Sequence, residues 1–87
     1  MNKERQKEIA RRLRLVRQAL GLSQIEIATE LGISPQRWWH YEAGKRPFDI
    51  DVACLLCQRW PEVPLEWLFI GWTRKIPKRF MRQLLEA

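Results

Sequence analysis

The sequence predicts an all-α domain, and three observations carry that prediction. Apolar residues recur at helical spacing, as in Ile9, Leu13, Val16 and Leu20, which keep to one face at 3.6 residues per turn. Helix start and stop signals alternate along the chain: Ser23 with Glu26, Ser34 with Pro35, and a glycine after each apolar run at Gly21, Gly32, Gly44 and Gly71. No stretch shows the period-two alternation of a strand.

Each element follows from its residues. The first helix is expected from about residue 3 to residue 20, with Glu8 placed to support Arg11 and Arg12 one turn later. Ser23 and Glu26 have the form of a capping box for a short second helix, whose inner face is Ile27, Ala28 and Leu31. Gly32 ends that helix and Ile33 follows as a buried plug. Ser34 reads as the N-cap of a third helix with Pro35 in its first position, where no N–H is needed. That helix runs to about Ala43, with Trp38 and Tyr41 facing inward. A fourth begins at Asp49 or Asp51, where the helix dipole favours an acid, and carries Ile50, Ala53, Cys54 and Cys57 as its apolar stripe. Pro61 and Pro64 bracket a loop. The short segment Leu65 to Ile70 is expected to bury Leu65, Leu68 and Phe69. The last helix starts near Pro77, with Ile76, Phe80 and Leu84 on one side and Met81 and Leu85 alongside. Residues 1–71 form the expected main domain and 72–87 a helical extension.

Composition narrows the class. The chain has 87 residues, 46% hydrophobic and 30% charged, which suits one modest core. No apolar run reaches the length of a membrane span, and the charged N-terminus lacks a secretory apolar region, so a cytoplasmic protein is expected. Cys54 and Cys57 form a CxxC on a helix interior, without the further ligands zinc needs, and are expected to pack in the core. No metal and no cofactor are expected. His40 is the lone histidine and has no nucleophile or orienting partner, so no enzyme is expected. Net charge is +6, unevenly spread: residues 1–20 carry +5, residues 21–60 carry −1 and residues 61–87 carry +2. The basic block, with Arg11, Arg12, Arg14 and Arg17, reads as a phosphate contact, a solvated face or a membrane-surface face; the last is weakest, because the apolar face opposite is needed for the core.

Two short helices joined by the corner Gly32-Ile33-Ser34 describe a helix-turn-helix. Ala28 lets the helices cross closely, and Ile33 and Trp38 hold the second at a fixed angle. Its N-terminal outer face is then free to enter a DNA major groove. The stretch from Leu20 to Pro47, LGLSQIEIATELGISPQRWWHYEAGKRP, resembles the Cro/Xre-type helix-turn-helix of phage repressors and bacterial regulators. The matching residues are Gly21-Leu22-Ser23-Gln24, Ala28, Leu31-Gly32-Ile33-Ser34, Tyr41-Glu42 and Gly44-Lys45-Arg46, with Arg17 ahead of them. A weaker likeness extends from about Ile9 to Gly71, where Pro64-Leu65-Glu66-Trp67-Leu68 resembles the short fifth helix of that five-helix, phage-repressor-like fold.

The resemblance implies a sequence-specific regulator of transcription, a repressor, that reads double-stranded DNA with its third helix (about residues 34–43). It assigns base contacts to Gln36, Arg37 and His40: Gln suits adenine N6/N7 and Arg suits guanine O6/N7. It assigns phosphate contacts to Ser23, Gln24, Ser34, Trp39, Lys45 and Arg46. Arg17 and Glu42 match the family's ion pair between the first and third helices. Two residues depart from the pattern: Pro35 replaces a polar reader, and Trp39 stands where a small or polar residue is usual.

A homodimer on a palindromic operator is expected, with no membrane partner and no small-molecule effector. The last helix either pairs across the two-fold axis or folds back on the first helix. An antitoxin is a close variant. The alternative class is a protein-interaction adaptor, suggested by Trp39 and by the aromatic C-terminal half, with Trp67 in the core and Trp60 and Trp72 at an edge or interface.

Overall fold

A computed structural model describes residues 2–87, which form six helices and no strand. They are α1 (Lys3–Ala19), α2 (Gln24–Leu31), α3 (Pro35–Glu42), α4 (Ile50–Arg59), α5 (Leu65–Ile70) and α6 (Lys78–Glu86). The all-α class and the helix-turn-helix are as the sequence reads.

The caps form as expected. Ser23 Oγ accepts from the Glu26 N–H at 3.0 Å and Glu26 Oε1 accepts from the Ser23 N–H at 2.8 Å, so the box at the start of α2 is closed. Gly32, at φ +72°, lets the Ile33 N–H return to the Ala28 carbonyl and makes the corner between α2 and α3. Ser34 Oγ accepts from the Arg37 N–H at 3.1 Å and caps α3. Asp49 caps α4 by accepting from the Asp51 N–H at 2.8 Å.

One core joins all six helices, and aromatic rings dominate its centre. Trp38 and Tyr41 are buried, as their spacing predicts. Both meet Phe48 edge-on, at 6.4 and 5.0 Å between centroids, and Phe48 stacks on Phe69 at 6.0 Å. Phe48 lies in the α3–α4 connection, where no periodicity marks it, and it sets the inner wall against which α3 rests.

Several expected packing positions are corrected. Ile50 is 59% exposed, and α4 buries Val52, Ala53 and Leu56 instead, with Cys54 and Cys57 half-buried. Leu65 is exposed, and α5 turns Trp67 and Leu68 inward while Phe69 is half-buried. Ile33 is half-buried rather than enclosed. In α4 and α5 nearly every position is apolar, so periodicity fits several faces and the neighbouring helices select one. Burial pushes the Cys57 thiol up to about 11, with Cys54 adding to the shift.

The choice for the last helix is settled by contacts. Ile76, Phe80 and Leu84 are buried in the chain's own core, and α6 lies against α1. Arg12 anchors the same side of α1. It is 8% exposed, donates from Nη1 to the Leu68 carbonyl at 3.0 Å and from Nη2 to Glu8 at 3.4 Å. Burial lowers its pKa and Glu8 opposes the shift.

Gly71 closes α5 at φ +87°, and a Cβ there would lie 2.8 Å from Arg12 Nη2. Gly71→Ala therefore combines left-handed strain with displacement of an anchored guanidinium. We expect a loss of about 1–3 kcal/mol in urea unfolding, whereas Arg11→Ala, at an exposed position, stays within about 0.5 kcal/mol.

Candidate nucleic-acid interface

The site is built on the corner between α2 and α3. Glu42 is its structural centre, 3% exposed in spite of its charge. Its carboxylate accepts from Arg17 Nε at 2.6 Å and Arg17 Nη2 at 3.2 Å, a two-point pairing that ties α1 to α3. It also accepts from the Trp38 indole N–H and, at 3.4 Å, from the Gln24 amide at the first turn of α2. Arg17 Nη1 donates onward to the Leu22 carbonyl at 3.1 Å. One buried carboxylate thus sets the relative position of three helices.

Around this centre the named side chains divide into groups. Gln36 is exposed on the first turn of α3, beside exposed Pro35. His40, one turn on, is half-buried and meets the Trp39 ring edge-on at 5.3 Å. Arg37 turns a different way. Its Nε donates to Tyr41 Oη at 2.8 Å and its Nη2 to Asp49 Oδ2 at 3.3 Å, which draws the guanidinium back along α3 towards α4. Nη1 takes part in neither bond. Local spacing could not show this, because Asp49 is read as a cap alone until the α3–α4 connection folds back.

The residues assigned to phosphate form a second group. Ser23 and Ser34 accept as caps, and each hydroxyl keeps its own proton to donate. A recess of about 240 Å³ is lined by Arg14, Arg17, Gln24, Trp39, Glu42 and Ala43. Trp39 is 43% exposed and forms one wall, with Lys45 Nζ 4.7 Å from the centre of its ring. Lys45 and Arg46 are both exposed, and the Arg46 guanidinium lies 5.7 Å from the Tyr41 ring centre. Arg14, which motif matching left among the general basic residues, joins this recess and donates to the Glu42 carbonyl at 3.3 Å.

The geometry defines a helix-turn-helix with capped, outward-facing helix starts. A family model described as helix-turn-helix domain matches residues 8–60, and the chain belongs to that family. The match runs from within α1 to the end of α4 and thus takes in the whole corner. That membership makes the chain a DNA-binding protein by class. Searches of curated proteins and of solved structures return no match. Among the described residues no helix is long and apolar enough to cross a membrane, and no group of three or more His, Cys, Asp or Glu side chains is placed to hold a metal ion.

Proposed function

We propose that the chain is a sequence-specific repressor that reads double-stranded DNA with α3. The observation that carries this reading is the exposed Gln36 at the start of a capped α3, held at a fixed angle by the buried Glu42 centre. Gln36 reads adenine, and His40 donates to a purine N7 one turn further on. Arg37 reads guanine through Nη1, which its bonds to Tyr41 and Asp49 leave available. Ser23, Gln24, Ser34, Trp39, Lys45 and Arg46 hold the phosphates on either side. The fixed register of the two helix starts gives the backbone contacts their positions, and the exposed side chains of α3 give the sequence preference.

The protein acts as a homodimer on a palindrome. Folding α6 back leaves Leu55, Leu65, Ile70 and Trp72 of the α4–α5 region as exposed apolar surface for the partner copy. The test is selection from a randomised duplex pool at moderate salt, with sedimentation of the free protein. The expected result is a palindrome with half-site centres about 10–10.5 base pairs apart and a dimer in solution. Duplex binding with no enriched sequence overturns specific readout. Failure to bind any duplex overturns the reading and leaves the same apolar surface to a different protein, as in an adaptor or an antitoxin.

A further inference from the structure

The positive charge of this protein does not sit on its reading unit. Residues 21–60, which contain α2, α3 and α4, carry four cations and five acids. The excess lies in residues 1–20, at net +5, and in residues 72–87, with five cations and one acid. The fold consumes part of the first block, since Arg12 and Arg17 go to buried partners. Lys3, Lys7, Arg11 and Arg14 remain exposed along one stripe of α1, and that stripe belongs to the α3 side, where Arg14 bonds the Glu42 carbonyl and Lys7 approaches Gly44. At the other end, Lys75, Lys78, Arg79 and Arg82 are all exposed. Lys75 meets Glu66 at 3.7 Å, while Lys78, Arg79 and Arg82 form no ion pair among the described residues.

Position separates the α6 cations from α3. The α3 side of α1 is marked by Arg14 and Arg17, which bond Glu42, and by Ala10, which approaches Gly44. The α5–α6 side is marked by Arg12, which reaches Leu68, and by Ala19, which shares a recess with Gln83 and Glu86. At 3.6 residues per turn these two sets lie on opposite flanks of α1. A duplex seated on α3 therefore does not also lie along α6.

We propose that the outer face of α6, with Lys75 just ahead of it, forms a second phosphate-binding surface, which takes a separate segment of duplex DNA. Four cations repel one another along and between the turns from Lys75 to Arg82, and a polyanion removes that repulsion by replacing condensed counterions. A bilayer does not fit, because the apolar face an interfacial helix would insert (Ile76, Phe80 and Leu84) is buried in the core. An acidic protein would anchor on Leu85, exposed on the same face one turn beyond Arg82, and the polyglutamate arm of the experiment separates that occupant from duplex DNA. The inference rests on the chain binding DNA through α3, so that the second segment is held against the first.

The experiment uses the full chain and two populations of a 30-base-pair mixed-sequence duplex, one carrying a donor and the other an acceptor fluorophore. Wild type is compared with K75Q/K78Q/R79Q/R82Q and with the reading variant Q36A/H40A, each checked for helix content. Wild type is expected to bring the two duplexes into energy transfer. The α6 variant is expected to lose that transfer, and its log–log salt slope should fall by about 0.9 for each phosphate contact removed, with sequence preference in a pool selection unchanged. The reading variant should lose sequence preference and keep a salt-sensitive association through α6. Energy transfer by the α6 variant equal to wild type overturns the inference, and so does a reduced slope when wild type itself never bridges. Capture of polyglutamate by the α6 face, at a salt concentration where it ignores the duplex, also overturns it and points to an acidic protein. Bridging without any selected sequence leaves this inference standing and defeats specific readout.

Discussion

Gln36→Ala is expected to lower affinity for the selected duplex by about 10- to 100-fold while leaving mixed-sequence duplex binding nearly unchanged. Gln36 is exposed, so its truncation opens no cavity and the stability of the fold should not move beyond about 0.5 kcal/mol. On the proposed reading, the truncation removes the pair of hydrogen bonds to adenine, about 1–3 kcal/mol of discrimination at one base position. Anisotropy titrations against the selected duplex and four single-position variants read this directly. Discrimination should collapse at one position and persist elsewhere. Lys45→Ala is the contrasting case: it should weaken binding to every sequence alike and reduce the salt slope by about 0.9. A uniform loss for Gln36→Ala would assign that residue to the backbone and remove it from base readout.

The largest effect on stability is expected at Glu42. Glu42→Ala leaves the Arg17 guanidinium, 18% exposed in its side chain, without its carboxylate, and also removes the acceptor of the buried Trp38 N–H. Removing one partner of a buried pair costs about 3–5 kcal/mol, because the remaining charge stays desolvated. In a domain of this size the total stability is about 5–15 kcal/mol, so urea unfolding should show a large fraction of it gone. The double variant Arg17→Met/Glu42→Met should recover much of that loss, since it buries no orphaned charge. Recovery would show that the single-variant loss comes from an unpaired guanidinium. If the double variant is as unstable as Glu42→Ala, the loss lies instead in the pair itself together with the orphaned Trp38 N–H. Exposed pairs set the scale for comparison: breaking Arg59–Glu30, whose side chains are 50% and 46% exposed, should cost less than about 1 kcal/mol.

The corner between α2 and α3 was legible in the sequence because its signals are local. Ser23 with Glu26, Gly32, and Ser34 with Pro35 each satisfy backbone groups within a few residues, so a short window contains both partners. Trp38 and Tyr41 were legible for a similar reason, since their spacing of three puts both on one face of α3. The Arg17–Glu42 pairing is not local, and it was reachable only through resemblance to the helix-turn-helix pattern. The geometry adds what that pattern lacked, namely that the same carboxylate also holds Trp38 and Gln24.

Other features were decided by tertiary structure. Phe48 carries no periodic signal, yet it is 5% exposed and holds the rings of Trp38, Tyr41 and Phe69 together. The face of α4 was misread because Ile50 through Cys57 is apolar on almost every side, and only packing against α2 and α5 selects Val52, Ala53 and Leu56. Arg37 looked like a free reader until the α3–α4 connection placed Asp49 beside it. α6 had one apolar face and two possible partners, its own core and a second copy, and its own core took it. The helices, their caps and the helix-turn-helix corner follow from local sequence, because they depend on groups a few residues apart. Packing selects which of several apolar faces is buried, which cations remain free, and that α6 lies on the flank of α1 opposite α3, because each depends on groups brought together from distant parts of the chain.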